Sequence, residues 1–467
     1  MSYAPLAESA EDWARFRGPN GTGVWEASPS EPGSAAGSLP AEFGPSKNLL
    51  WKTPLPPGHS SPILSGNKVF LTAFEGNKLL TLCLDRQSGG ILWRRESPRT
   101  RTEHLDKRNS PASPTPAADG RNLYVFFPDY GLVSYDYTGN ERWRVPLGPF
   151  QNSYGMGASP VVVDGRVVLV CDQTLGSFAA AYSTEDGRQL WKTPRTEALS
   201  GHSTPVIYRT ANGSAEIVAP GSFRMDAYSA ATGEIAWTAR GLTSEMKSVP
   251  VLSDGVVYIN GYNMAENDPG RQVAVPAFED VLAKRDSDGN GVIAIGESPD
   301  ERTKKYFAYL DLNHDGKLDA AEWRTYQSSM AAENGLLAIR AGGKVLWKYH
   351  KAIPQLPSTL LYRGVLYMVS DGGVLTTLDP ATGTVLKQAR LRGVADNFYA
   401  SPVASDGKVF FVSVSGAVTV IKPGGEQDVL AVNELDDECY ATPAIGDGRI
   451  FIRTRGALWC FGQTAKT

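Results

Sequence analysis

Two stretches of twelve residues, "DSDGNGVIAIGE" at 286–297 and "DLNHDGKLDAAE" at 311–322, set oxygen donors at the spacing a hard cation requires. A loop that wraps calcium offers side-chain oxygens at positions 1, 3 and 5 and a glycine at 6 for the sharp turn. It adds a backbone carbonyl at 7, a ligand at 9 and a bidentate glutamate at 12. The first stretch supplies Asp286, Asp288, Asn290, Gly291, the carbonyl of Val292 and Glu297, with Ala294 leaving position 9 to a water. The second supplies Asp311, Asn313, Asp315, Gly316, the carbonyl of Lys317, Asp319 and Glu322. A lone acidic, glycine-containing stretch is usually a solvated turn. Two complete matches side by side point instead to metal binding.

The flanks agree with a helix–loop–helix reading. "PAFEDVLAKR" precedes the first loop, "SPDERTKKYFAYL" joins the two, and "AAEWRTYQSSM" follows the second. The joining segment is short enough to serve as one shared helix, so the pattern resembles a compact EF-hand pair. Ile293 and Leu318 stand at position 8, where paired loops bridge through a short β contact. The expectation is two calcium ions per chain, with the second loop tighter because Asp319 adds an acidic ligand that Ala294 cannot.

The elements around these loops have a different period. A unit opens on Ser/Thr-Pro or a close equivalent and runs through short alternating strands, as in "SSPILSGNKVFLT", "ASPVVVDGRVVLV" and "ATPAIGDGRIFIR". It closes on a turn followed by tryptophan, at Trp93, Trp143, Trp191, Trp237 and Trp347. Eight openings are found. Four short strands per unit with Asp-Gly and Thr-Gly turns mark a propeller blade. The fold expected is all-β, an eight-bladed β-propeller with a small α-helical insertion. The tryptophans are expected to pack between neighbouring blades rather than to touch a ligand. "NLLWKTPL", around Trp51, is a closing strand with no blade before it, and the last unit lacks one after "GALWCFG". The N-terminal strand should therefore complete the last blade.

Closing tryptophans recur at similar spacings until Trp237, after which the next is Trp347, so one blade carries an insertion of roughly 60 residues. This puts the calcium loops between strands B and C of blade five. The expected division is an extended arm over 1–44 and propeller over 45–264. The inserted EF-hand pair then occupies 265–331, with propeller again over 332–467. B–C loops leave a blade on the same face as the D–A loops that join blades. Three residues before each opening proline or its equivalent, those D–A loops carry His59, Ser113, Gly157, His202, Lys247, Leu356, Tyr399 and Tyr440. Two further back stand Glu245, Asn397 and Glu438. His59, His202, Lys247, Tyr399 and Tyr440 are the candidates for binding or catalysis at the mouth of the ring. A solvated loop ring would also be polar.

The repeat resembles the PQQ-like propeller family, which includes quinoprotein dehydrogenases and BamB-like proteins, over roughly residues 45 to 462. That family hosts enzymes and binding proteins alike. An oxidoreductase of this kind seats PQQ on a tryptophan platform beside calcium. Here no ring position supplies a tryptophan, no haem motif is present, and PQQ is not expected. The expected function is a calcium-binding propeller acting as a binding or scaffold protein for a partner protein, peptide or carbohydrate polymer at its D–A face. The alternative is a propeller enzyme, a PQQ-type oxidoreductase or a sugar-modifying enzyme, using the polar ring.

Composition narrows the partners. The net charge is −4 and 21% of residues are charged, with no basic footprint for nucleic acid. No apolar run reaches the roughly 20 residues that cross a bilayer. The start "MSYAPLAESAEDW" has no basic or apolar leader segment, so the expected location is the periplasm or outside the cell, with a leader removed. Cys83, Cys171, Cys439 and Cys460 are scattered and read as small buried hydrophobes, a Cys439–Cys460 bridge being the alternative.

Overall fold

The computed structural model describes residues 12–26 and 38–463. Eight antiparallel four-stranded sheets stand around an axis. Blades 1 to 4 occupy 63–98, 117–145, 161–194 and 206–240. Blade 5 is formed by 251–261 with 335–349, and blades 6 and 7 by 360–390 and 403–434. Blade 8 takes its three inner strands from 444–462 and its outer strand from Leu49–Pro54, which pairs antiparallel with Ala457–Gly462. The N-terminal strand therefore fastens the ring, as the sequence predicts.

The Ser/Thr-Pro opening has a structural cause. The backbone N–H of Ser61 donates to the hydroxyl of Thr115 at 2.9 Å, Thr115 to Ser159, and Ser159 to Thr204. The series continues from Val249 to Ser358, Ser358 to Ser401 and Ser401 to Thr442. Each of these hydroxyls satisfies a backbone donor of the preceding blade in a buried ring where water cannot. Proline then begins the innermost strand, where its missing N–H costs nothing.

The closing tryptophans stitch the outer edge. Trp93, Trp143, Trp191 and Trp347 each donate the indole N–H to a backbone carbonyl of the next blade, at Tyr137, Thr184, Ala230 and Pro380. Trp51 does the same to Arg86 across the seam that closes the circle. Trp237 departs from the pattern and donates to Glu216 within its own blade. Against each ring that crosses a seam lies a turn glycine of the next blade. Gly233 has φ +76°, and a Cβ there would stand 2.6 Å from the Trp191 ring. Gly233→Ala is expected to destabilise by roughly 2–5 kcal/mol, combining a left-handed backbone penalty with overpacking. Gly255→Ala, at φ +70° with nothing within 4 Å of its Cβ, should cost only about 1–2 kcal/mol. Thermal melts of the two variants side by side test this, and equal losses would remove the indole contact from the explanation.

The segment Asp12–Glu26 closes the far end of the central channel. Its backbone carbonyls at Trp13 and Ala14 accept from Leu64 and Ala118, in the innermost strands of blades 1 and 2. The Asn20 side chain clamps both backbone groups of Ile207 in blade 4, and Gly23 to Trp25 pair with Ala404 in blade 7. In "RGPNGTG" the glycines serve close packing: a Cβ on Gly18, at φ +67°, would sit 2.5 Å from the Trp13 ring. The rest of the arm expected over 1–44, at 1–11 and 27–37, lies outside the described residues.

The insertion leaves blade 5 between strands Val256–Gly261 and Gly335–Arg340. It holds three helices, α1 (Phe278–Arg285), α2 (Glu301–Leu310) and α3 (Ala320–Ala331). Its own core gathers Phe278, Val281, Phe307, Leu318, Trp323 and Met330. All four cysteines are buried free thiols, so the bridge alternative is not formed. No described helix is long and apolar enough to cross a membrane.

Candidate functional site

All eight D–A ring positions, His59, Ser113, Gly157, His202, Lys247, Leu356, Tyr399 and Tyr440, line one cavity of about 220 Å³ on the axis. The register explains the convergence. Each residue stands a fixed distance before the hydroxyl ring, so the same backbone path aims it inward in every blade. Phe16 of the N-terminal segment also lines the cavity, from the channel end. None of the closing tryptophans lines it.

The wall from blades 7, 8 and 1 is aromatic. His59 and Tyr440 stack with ring centroids 4.4 Å apart and planes within 4°, and Tyr399 leans on Tyr440 at 5.4 Å. On the other side His202 meets Tyr154 edge-on at 6.0 Å. Gly157 gives His202 its room, since a Cβ there would lie 3.3 Å from Nδ1.

The charges come in pairs. Lys247 Nζ donates to Glu245 at 3.0 Å and to the carbonyl of Tyr262 at 3.2 Å. Arg108 Nε donates to Asp106 at 2.7 Å. That contact holds the Asp106 carboxyl below its ordinary range and the guanidinium above its own. Burial pushes the His59 imidazole down to about 4, with Arg453 and Arg455 adding to it and the backbone of Arg108 opposing. Burial pushes His202 down to about 3, aided by Lys247 and Arg108 against Asp106. Both rings are therefore neutral near pH 7. Burial likewise raises the phenols of Tyr399 and Tyr440, and that of Tyr154 to about 12. His59 Nδ1 and His202 Nε2 are buried without a hydrogen-bond partner.

Of the second set read from the sequence, Glu245 lines the cavity. Asn397 and Glu438 are exposed outside it, Glu438 paired with Arg455. Sequence reasoning missed Asp106, Arg108, Tyr154 and Phe16. The first three belong to the long connections 99–116 and 146–160 between blades. The length of those connections was the only signal.

The insertion sits at the rim. Asn263 lines the cavity, donates its backbone N–H to Oδ1 of Asn334, and donates its side-chain amide to Ser244 and Asn267. Asn267 in turn caps the end of α3 through the carbonyls of Ser329 and Ala332. Tyr309 of α2 comes near enough to Tyr154 to bear on its ionisation. A second cleft, of about 790 Å³, shares Asn263 and Gln355 with the first and runs past Tyr262, Arg271 and His350.

Within the insertion the two twelve-residue loops lie back to back, Ile293 pairing with Leu318 in a short antiparallel bridge. Asp286 accepts from the N–H groups of Asn290 and Gly291, and Asp311 from those of Asp315 and Gly316. Each position-12 glutamate folds back over its loop: Glu297 accepts from Ser287 and Ala294, and Glu322 from Leu312, Asn313 and Asp319. Carboxylate oxygens of Asp286, Asp288 and Glu297 lie within 4.8 Å of one another. This donor set suits a hard divalent cation. Asp319 uses Oδ1 to cap α3 at Ala321 and Glu322, which leaves Oδ2 free for a ligand.

Comparison with solved structures returns propellers. The chain aligns with BamB from Moraxella catarrhalis at 12% identity and a TM-score of 0.56, covering 89% of this chain and 99% of that one. A europium-containing methanol dehydrogenase aligns at 10% identity and a TM-score of 0.63, with 98% and 99% covered. A quinohemoprotein alcohol dehydrogenase from Pseudomonas putida HK5 aligns at 12% and 0.61, with 98% and 81% covered. At such identities the likeness carries the fold alone. No curated protein matches the sequence. The family model described as outer membrane protein assembly factor BamB matches residues 80–224, 179–275 and 312–465. Those stretches take in most of the chain, which thus belongs to this family of PQQ-like β-propellers.

Proposed function

We propose that this chain is a binding or scaffold protein of the periplasm or cell exterior that takes a segment of a partner protein, peptide or carbohydrate in its D–A funnel. The observation that carries the reading is the convergence of all eight ring positions on one cavity. Binding is favoured over acid–base catalysis because a catalytic group works best with a pKa near the operating pH. The imidazoles lie far below neutrality, the phenols are raised, and Asp106 is tied to Arg108. PQQ does not fit this cavity: its carboxylates need free cations, but Lys247 and Arg108 are engaged, and no tryptophan lines it.

Calcium belongs to the same proposal. Asp286, Asp288, Asn290, the carbonyl of Val292 and Glu297 would hold one ion. Asp311, Asn313, Asp315, the carbonyl of Lys317, Asp319 and Glu322 would hold the other. The ions would supply folding free energy to the module at the funnel rim. An extracellular setting provides calcium at the level that modules with Kd of about 10⁻⁴–10⁻³ M require, which supports the location along with the family's outer-membrane name.

The test is to probe mixed peptide and glycan arrays with the labelled full chain. His202→Ala and Lys247→Ala are expected to abolish whatever binding is found, without moving the main melting transition. Arrays that stay blank, or variants that bind as the parent does, would overturn the reading. A bound component returned chemically altered would favour the enzyme alternative.

A further inference from the structure

We infer that the funnel's ligand is the uncharged end of a carbohydrate chain, one pyranose ring seated against Tyr440 and Tyr399; this rests on the funnel being a binding site. A pyranose presents C–H bonds on its faces and hydroxyls around its rim. A site for it needs an aromatic wall on one side and hydrogen-bonding groups on the other. The cavity is divided in that way. His59, Tyr440 and Tyr399 form a continuous aromatic run across blades 1, 8 and 7, and Asn109, Asn263, Gln355 and His202 face the space from the other blades. Amides and neutral imidazoles can each donate and accept, as a hydroxyl requires of its partners.

Charge argues for an uncharged occupant. Both cations at the cavity are matched by carboxylates, Lys247 by Glu245 and Arg108 by Asp106, so an anionic or cationic ligand would have to break a pair. Hydrogen bonding argues for a hydroxylated one. His59 Nδ1 and His202 Nε2, on opposite sides of the cavity, are buried and unpartnered, and a buried polar atom left unpaired is costly. A ring hydroxyl reaching each of them would remove that cost. Size sets the length of chain engaged. About 220 Å³ falls below the roughly 300–1,000 Å³ of sites for larger ligands, enough for one ring. The cleft that shares Asn263 and Gln355 offers an exit for the rest of the chain.

Saturation-transfer NMR on the full chain in calcium tests this with named probes: maltotriose, cellotriose, xylotriose and chitotriose as neutral ends, trigalacturonate as a charged one, and a mixed tripeptide library. The expected result is saturation of the terminal-ring protons of at least one neutral trisaccharide. Its affinity should fall about tenfold in Tyr440→Ala and stay within about twofold in Tyr440→Phe, which keeps the ring. Saccharide signals indifferent to Tyr440→Ala, or binding by trigalacturonate in place of the neutral probes, would overturn the inference. Tripeptides binding in a Tyr440-dependent way while no saccharide does would overturn the carbohydrate assignment and leave the binding reading standing. Silence from every probe would remove both.

Discussion

Chelating calcium from the full chain is expected to melt the helical insertion and leave the eight blades folded. The insertion's core is a separate cluster around Trp323 and Phe307, too small to hold a module of its size without further support. Without an ion, carboxylates of Asp286, Asp288 and Glu297 crowd within 4.8 Å of one another. An ion at a hundred times its Kd stabilises by about 2.7 kcal/mol per site. For a module of this length, two such sites convert to roughly 20 °C or more. Calorimetry should therefore show an early transition that drops with EDTA and a late one that does not. The blades are expected to be indifferent to the metal, because the ring is closed by the pairing of the Leu49–Pro54 strand with Ala457–Gly462, in blade 8 and not in the insertion. Glu322→Gln, which removes one carboxylate oxygen from the second loop, should weaken one of two calcium heats in titration calorimetry and spare the other. Loss of the whole β signal on chelation, or an early transition indifferent to it, would sink the modular account.

The parts of the molecule that were legible in the sequence are those where one backbone geometry recurs. A blade repeats, so a proline register could be counted, and the eight residues three before it turned out to share one cavity. The hydroxyl ring explains why that register is strict: before five of the prolines the Ser or Thr accepts the neighbouring blade's N–H, as Thr115 does from Ser61, and Ser358 does the same where Thr359 replaces the proline. The tryptophan and turn glycine form a second recurrent contact at five seams, and nothing in the repeat foretells that Trp237 turns to Glu216 instead. What could not be read was whatever depends on non-repeating chain. Phe16 reaches the funnel because the segment around it crosses blades 1, 2, 4 and 7, and nothing in "DWARFRGPNGTGV" states which end of the channel it enters. Arg108 and Tyr154 ride on irregular connections whose path is set by tertiary contacts, such as the carbonyl of Tyr154 accepting from Asn109. The turns of the two twelve-residue loops follow the oxygen-donor spacing that a hard cation requires, with Asp286 and Asp311 each accepting from two N–H groups four and five residues on.

Lowering the pH from 7 to 5 is expected to destabilise the propeller through His59 and His202. Their folded-state pKa values, about 4 and about 3, lie below the unfolded value of about 6.5. In that window the unfolded chain binds protons that the folded chain refuses, so stability falls with pH. The contribution is fully present above about pH 6.5 and is lost as pH drops toward the folded values. At pH 5 it amounts to about 2 kcal/mol for each imidazole. The cause is burial first, then neighbouring cations: Arg453 and Arg455 at His59, Lys247 and Arg108 at His202, the latter opposed by Asp106. Glu103, Asp172 and Asp371 are held above their ordinary values by burial and run the other way, so the measurement must be differential. The late melting transition of the parent is expected to fall about 5 °C further between pH 7 and pH 5 than that of a His59→Gln, His202→Gln double variant, which keeps polar groups but cannot titrate. Parallel pH profiles would show that the two imidazoles are protonated in the folded ring. The neutral cavity on which the ligand assignment depends would then be charged at mildly acidic pH.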